Sequence, residues 1–234
     1  HKYLTLKECV ENNGGKLEDK KAEKPEGDNA ENKEQTTIYY VTDEQQQSQY
    51  INMFRQQGMN AVVLDHTIDS SFITQLEQRN QNYKFLRIDA DVTDSLVEET
   101  SEEELKESTD TLTGIFRKAL GKDKLNVKVE KFKNKEISSV ITLPEESRRM
   151  QDMMKMYNMY GMDPSMFGGD ETLVLNANND LVQYILNHGD GEHTDLFCKQ
   201  LYDLAMISNQ PLSPEEMTAF VNRSNQIMML LAKE

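Results

Sequence analysis

After Thr36 the apolar period of this chain switches every few residues, and that switching restricts its fold more than any other feature. TTIYYVT is β-branched and aromatic, SQYINMFRQQG has helical spacing with a glycine stop, and MNAVVLDH is a short apolar run with a polar end. TIDSSFITQLEQRN is helical again, and YKFLRIDAD is extended. Strands and helices that alternate over connections this short specify a small parallel sheet with helices on its faces. The sequence therefore predicts a three-layer parallel-sheet α/β subdomain over residues 1–92. Within it, residues 11–35 hold one leucine, two alanines and no aromatic residue. They cannot bury enough surface to offset their ordering entropy and are expected to form a mobile loop.

The pattern changes after residue 92. Residues 93–121 form an expected connecting helix region, acidic at first and apolar at Leu112, Ile115, Phe116, Ala119 and Leu120. Gly121 suits a left-handed helix end. KLNVKVEKF and EISSVITL both alternate apolar and polar residues around Lys133-Asn134-Lys135, which reads as an antiparallel hairpin. Pro144 opens a helix, ETLVLNAN is a strand and NDLVQYILNH a helix, and two helices close the chain at about 194–209 and 214–232. Residues 122–234 are thus expected to be α+β, so the whole chain is α/β plus α+β.

The last helix has the clearest start. Ser213-Pro214-Glu215-Glu216 places serine at the cap, proline at the first helical position and glutamate three residues after the cap. Met217, Phe220, Val221, Ile227, Met228 and Leu231 then recur at helical spacing, as do Leu201, Leu204 and Ala205 in the preceding helix. Two stripes this wide either pack within one chain or pair with a second copy in a four-helix bundle. A second apolar concentration lies at 150–167, MQDMMKMYNMYGMDPSMF, which holds seven of the thirteen methionines. Methionine fills irregular gaps in cores and also suits surfaces that must accept varied apolar partners.

Composition narrows the function. A formal charge of -15 over 234 residues repels phosphate backbones and anionic lipid, so neither nucleic acid nor a membrane surface is an expected partner. No apolar run approaches the roughly eighteen residues of a membrane span, and two cysteines, Cys9 and Cys198, make no disulfide framework. The cytoplasm is the default compartment. HKYLTLKE lacks an initiator methionine and is already helical in pattern, as if cut from a longer protein.

Catalytic signatures are absent: there is no GxxxxGK[ST], GxGxxG or GxSxG string. Asp89, Asp91 and Asp94 lack the glycine and terminal glutamate of a calcium loop. His188 and His193 with Asp190 and Glu192 could gather a metal, but they read as a helix end and a glycine turn. Cys198 reads as a small buried apolar residue. No metal or cofactor site is expected. One alternative is a receiver-like or small-ligand module that uses Asp65 and Asp89 at strand ends; Asp69 reads as a helix cap.

Several strings in order resemble the bacterial branch of the heat shock protein 90 chaperones. YLTLKE, TIYYVT and GMNAVVLDHTID are similar to the small α/β part of that family's middle domain. LVLNANNDLV, LYDLAMI and AFVNRSNQIMMLL, with Phe220, Arg223 and Asn225, are similar to its C-terminal dimerisation domain. The chain departs from the pattern at Ala177, where proline is common, at Ser48-Gln49, and at Ser71, where some relatives carry a client-holding aromatic. The resemblance implies a stress-response parent that uses ATP and magnesium in a domain outside these residues, so this chain is expected to be neither an ATPase nor an ATP binder. It also implies a homodimer through residues 194–232, contact with non-native clients, and co-chaperone partners. Client contact is implied for Met150, Met153, Met154, Met156, Tyr157, Met159 and Tyr160.

Overall fold

The computed structural model describes residues 2–14, 35–92, 94–156 and 171–232. Most of the expected 11–35 loop and most of the methionine-rich stretch lie outside them. The first part is the parallel sheet that the switching period predicts. β1 (Thr36–Val41) lies between β2 (Val62–Val63) and β3 (Tyr83–Arg87), and both neighbours run parallel to it. α1 (Leu6–Asn12), α2 (Ser48–Gln56) and α3 (Asp69–Arg79) cover the two faces. β1 serves both layers because successive side chains point to opposite sides. Ile38 and Tyr40 pack with Val10, Ile73, Tyr83 and Phe85. On the other side Val41 meets Tyr50, Met53 and Phe54, and Tyr39 sets its ring edge-on to Phe54 at 5.0 Å.

The expected helix over 93–120 begins later. One 3-10 turn spans Asp94–Leu96, and α4 runs Glu102–Leu120 from a Ser101 cap to Gly121 at φ 64°. Leu96 and Val97 are drawn off the helix by the core: Val97 bridges to Phe132, and the Glu98 N–H donates to the Lys131 carbonyl at 2.8 Å.

The expected hairpin is also corrected. β4 (Asn126–Glu130) and β5 (Ser139–Thr142) do not pair with each other; β6 (Thr172–Asn176) lies between them, parallel to β4 and antiparallel to β5. The reason is burial. Leu173, Val174 and Leu175 are apolar in succession and at most 1% exposed, which suits a central strand covered on both faces, whereas Asn-Val-Lys-Val-Glu alternates and suits an edge. Asn176 locks the arrangement from within the core. Its Oδ1 accepts from the Phe132 and Asn178 N–H groups, both at 2.9 Å, and its Nδ2 donates to the Asn134 and Ile137 carbonyls at 3.0 and 2.7 Å.

Four helices complete the chain: α5 (Glu145–Met156), α6 (Asp180–Asn187), α7 (Thr194–Ile207) and α8 (Pro214–Leu231). One core joins Leu112 and Phe116 of α4, Ile141, Leu173 and Leu175 of the second sheet, and Ile185, Cys198 and Leu201 of α6 and α7. Another takes Val41, Phe54 and Ile88 from the first sheet's side and Phe132, Val140 and Val174 from the second.

A buried charge cluster accompanies that shared core. Asp89, fully buried just past β3, accepts from Arg87 Nε at its Oδ1 (2.6 Å) and from Arg87 Nη2 at its Oδ2 (3.0 Å), and Arg148 Nη2 of α5 lies 3.2 Å from the same Oδ2. Burial alone would raise the Asp89 carboxyl, but Arg87 and then Arg148 outweigh it and hold the group below its ordinary range. Its stabilisation is therefore complete above the unfolded value of about 3.9 and is lost as pH falls through the depressed folded value.

Two outcomes follow for urea unfolding. Asp89→Ala should lose about 3–5 kcal/mol at neutral pH, since it strands two buried guanidinium groups, and should flatten the loss of stability seen on acidification below about pH 4. Asn176→Ala should lose about 3 kcal/mol or more, because the buried Phe132 N–H and three partly buried backbone groups lose a partner at once.

Candidate functional site

The closing helix pair divides its apolar residues sharply. α7 turns Cys198, Leu201, Tyr202, Ala205 and Met206 into the chain's own core. Leu201 and Ala205, expected at an interface between copies, are 2% and 1% exposed within this one chain. They are core residues because α4 and the second sheet already cover that side of α7. Leu204 points the other way and is 44% exposed.

α8 is different. Its capping box forms as expected: the Ser213 N–H and hydroxyl both donate to Glu216, and the Glu216 N–H donates back to Ser213 Oγ at 3.3 Å. Yet none of its 18 residues is buried. Met217, Val221, Met228 and Leu231 are all exposed and share one face at 3.6 residues per turn. Phe220 and Ile227 are half-buried beside that face. The helix is held to α7 by polar links, Arg223 Nη1 to Asp203 Oδ2 at 2.7 Å and Gln200 Nε2 to Ser224 Oγ at 3.0 Å. Helices in proteins draw most of their stability from burial of an apolar face, and this face has no cover within the described chain.

The methionine-rich segment starts on firmly anchored backbone. Glu145, in the first turn of α5, accepts from the Tyr40 hydroxyl at 2.7 Å, the Arg87 N–H at 2.9 Å and Arg149 Nε at 2.8 Å. Arg149 also donates to Glu77, at 2.5 and 3.1 Å, to Thr74 Oγ1 at 3.2 Å and to the Phe85 carbonyl at 3.1 Å. Sequence reading missed this anchor, although Glu145 and Arg149 stand at i and i+4. Met150 is 40% exposed. Met153, Met154 and Met156 lie on α5 with side chains outside the description, and Tyr157, Met159 and Tyr160 lie outside the described residues.

α3 adds an exposed apolar patch that sequence reading also missed. Ile68 and Phe72 are 68% and 56% exposed and line a shallow groove with Ser71, Gln75, Leu76 and Arg79. Only their helical spacing opposite buried Ile73 signals it.

The strand-end aspartates do not converge. β2 and β3 lie on opposite sides of β1, Asp89 is engaged by two arginines, and Asp65 sits exposed with its oxygen 2.7 Å from His66 Nδ1. A receiver-like centre needs both carboxylates at one open crevice, so that reading is overturned, and the same burial removes Asp89 from any calcium loop. Asp69 is not the expected cap: it is the first residue of α3, the cap position is Ile68 with no side-chain bond, and Asp69 accepts the His66 N–H of the preceding turn at 3.1 Å. Among the described residues, Asp65, His66 and Asp69 are the one group of His, Cys, Asp and Glu close enough to share an ion. The His188 loop is not such a group; His188 Nδ1 meets the Tyr184 carbonyl at 2.9 Å and its ring stacks on Tyr184. Cys198 is fully buried, and burial pushes its thiol up to about 12, so it stays protonated and unreactive at neutral pH. Among the described residues, no helix is long and apolar enough to cross a membrane.

The chain has relatives of known family. A family model described as Hsp90 protein matches residues 28–233. The chain is 31% identical over 170 residues to "Chaperone protein HtpG" of Bacteroides thetaiotaomicron, which covers 68% of this chain and 24% of that protein. It is 30% identical over 169 residues to the protein of that name from Bacteroides fragilis, with the same coverage of each. The Porphyromonas gingivalis protein is 28% identical over 162 residues, covering 65% of this chain and 23% of that protein. The chain thus matches about a quarter of the length of these relatives. With the family model spanning both described sheets and every described helix but the first, this chain belongs to the Hsp90 family.

Proposed function

We propose that this chain is the self-associating and client-holding part of an Hsp90-type chaperone, corresponding to the end of the middle domain and the C-terminal dimerisation domain. The observation that carries the reading is α8, a capped helix of 18 residues with no buried side chain and a single-faced apolar row. A second copy supplies the missing cover: two helix pairs meeting about a twofold axis bury Met217, Val221, Met228 and Leu231 on both sides and complete the burial of Phe220 and Ile227. Leu204 faces the same space, while Leu201 and Ala205 support it from the core. Non-native clients then meet apolar surface at Met150 and the methionines that follow, and at Ile68 and Phe72. Exposed apolar patches of this kind on a highly charged protein mark interaction sites.

In this reading the chain is not itself an enzyme. ATP and magnesium act in a part of the parent protein that these residues do not include, and the parent works in the cytoplasm with co-chaperones. Clients are selected by exposed apolar side chains and not by sequence.

Light scattering at micromolar concentration should give the mass of a dimer. Phe220→Ala should weaken the dimer by about 3–5 kcal/mol, as for truncation of a buried aromatic, and Val221→Lys with Met228→Lys should give a folded monomer. A monomeric wild-type chain would overturn the interface. The chain should also suppress aggregation of a model client, and Met150→Glu with Met156→Glu should reduce that suppression severalfold while leaving the dimer intact.

A further inference from the structure

We infer that Arg149 is a positioning residue for client contact: it makes α5, on which Met150 stands exposed, move with the parallel-sheet layer. This rests on the reading of Met150 and the methionines that follow as a client surface.

The argument is one of attachment. Covalently, α5 continues from β5 of the second sheet through Leu143 and Pro144. Its polar anchors lie elsewhere. Glu145 is held by Tyr40 of β1 and the backbone of Arg87 in β3, and Arg149 spreads its guanidinium over Thr74 and Glu77 of α3 and the Phe85 carbonyl of β3. Arg148 reaches Asp89 just beyond that strand. The base of α5 is thereby fixed to the sheet that it does not follow in sequence.

Arginine suits this role because its planar fork serves several acceptors at once in fixed directions, which a lysine cannot do. The site is sheltered as well: Arg149 and Glu77 keep only 19% and 22% of their side-chain surface. Burial by itself would lower the Arg149 pKa, but its hydrogen bonds to Glu77 and Glu145 outweigh that and hold the guanidinium firmly charged.

The geometry works as a lever. Met156 lies seven residues beyond Arg149, about 10 Å along the helix at 1.5 Å per residue. A tilt of about 10° at the Arg149 anchor therefore moves the backbone at Met156 by about 2 Å. Any shift of the parallel-sheet layer against the second sheet is carried to α5 through Arg149, Glu145 and Arg148 together.

The test compares Arg149→Ala with wild type, both as the full chain, by amide hydrogen exchange over residues 145–156, suppression of model-client aggregation, and dimer mass. Exchange across α5 should rise at least tenfold, suppression should fall at least threefold, and the dimer should persist. Glu77→Gln, which removes the charge at the α3 end alone, should shift exchange and suppression the same way by less, and it carries the test if Arg149→Ala unfolds the whole chain. Unchanged exchange in these variants overturns the anchor. Faster exchange with unchanged suppression overturns the link to client contact. A wild-type chain that protects no client refutes the client reading, while the exchange measurements still decide the anchor.

Discussion

A carboxylate taken out of water must be repaid by charge and hydrogen bonds, and Asp89 sets much of this architecture by needing two arginines. Arg87 belongs to β3 and Arg148 to α5, so satisfying Asp89 draws the start of α5 onto the end of the parallel sheet. The neighbouring pairs reinforce the placement: Glu145 and Arg149 bind β1, β3 and α3 at the same junction. An interior ion cluster is a weak source of net stability compared with well-packed apolar residues, but it is unforgiving about geometry. That combination suits a junction whose task is to hold one helix at one angle. It also settles the role of the strand-end aspartate, which has no lone pair facing solvent to lend to chemistry.

The second sheet depends on a different kind of economy. Asn176 satisfies three backbone groups in the bend between β4 and β5, at Phe132, Asn134 and Ile137, and a fourth at Asn178 just past β6, two through its carbonyl oxygen and two through its amide. Without it the insertion of β6 between those strands would leave buried polar atoms unpaired, each at a cost comparable to a lost hydrogen bond. Within the bend, the Asn134 side chain adds a tight turn of its own by accepting the Glu136 N–H at 2.9 Å. The sheet then offers one face to α4, α6 and α7 and the other to the core it shares with the parallel-sheet layer.

Against these well-covered layers, α8 stands apart. Its cap is complete and its apolar row is regular, yet the described residues fold nothing over it. The anchored base of α5 and the open faces of α3 and α8 place the apolar surface of this protein at its outer elements. A member of the Hsp90 family uses such surface, in the reading proposed here, for its own copy and for unfolded chains.

Local chemistry made much of this legible in advance. The period switches of 36–91 led to three parallel strands and their helices, Ser213 with Glu216 to the start of α8, and Gly121 to the end of α4, because a cap or an apolar period is decided by neighbours within a turn. Partners distant in sequence were a different matter. Nothing near KLNVKVEKF or EISSVITL says that ETLVLNAN will pass between them, and nothing near Asp89 announces Arg148. The two stripes of the closing helices looked alike in sequence, but α4 and the second sheet bury the α7 stripe and leave that of α8 open. Sequence alone determined most of the helices and strands and the ends that carry a cap; only the tertiary structure decided where α4 begins, how the strands are ordered and which apolar faces are already covered, because these depend on contacts between residues far apart in the chain.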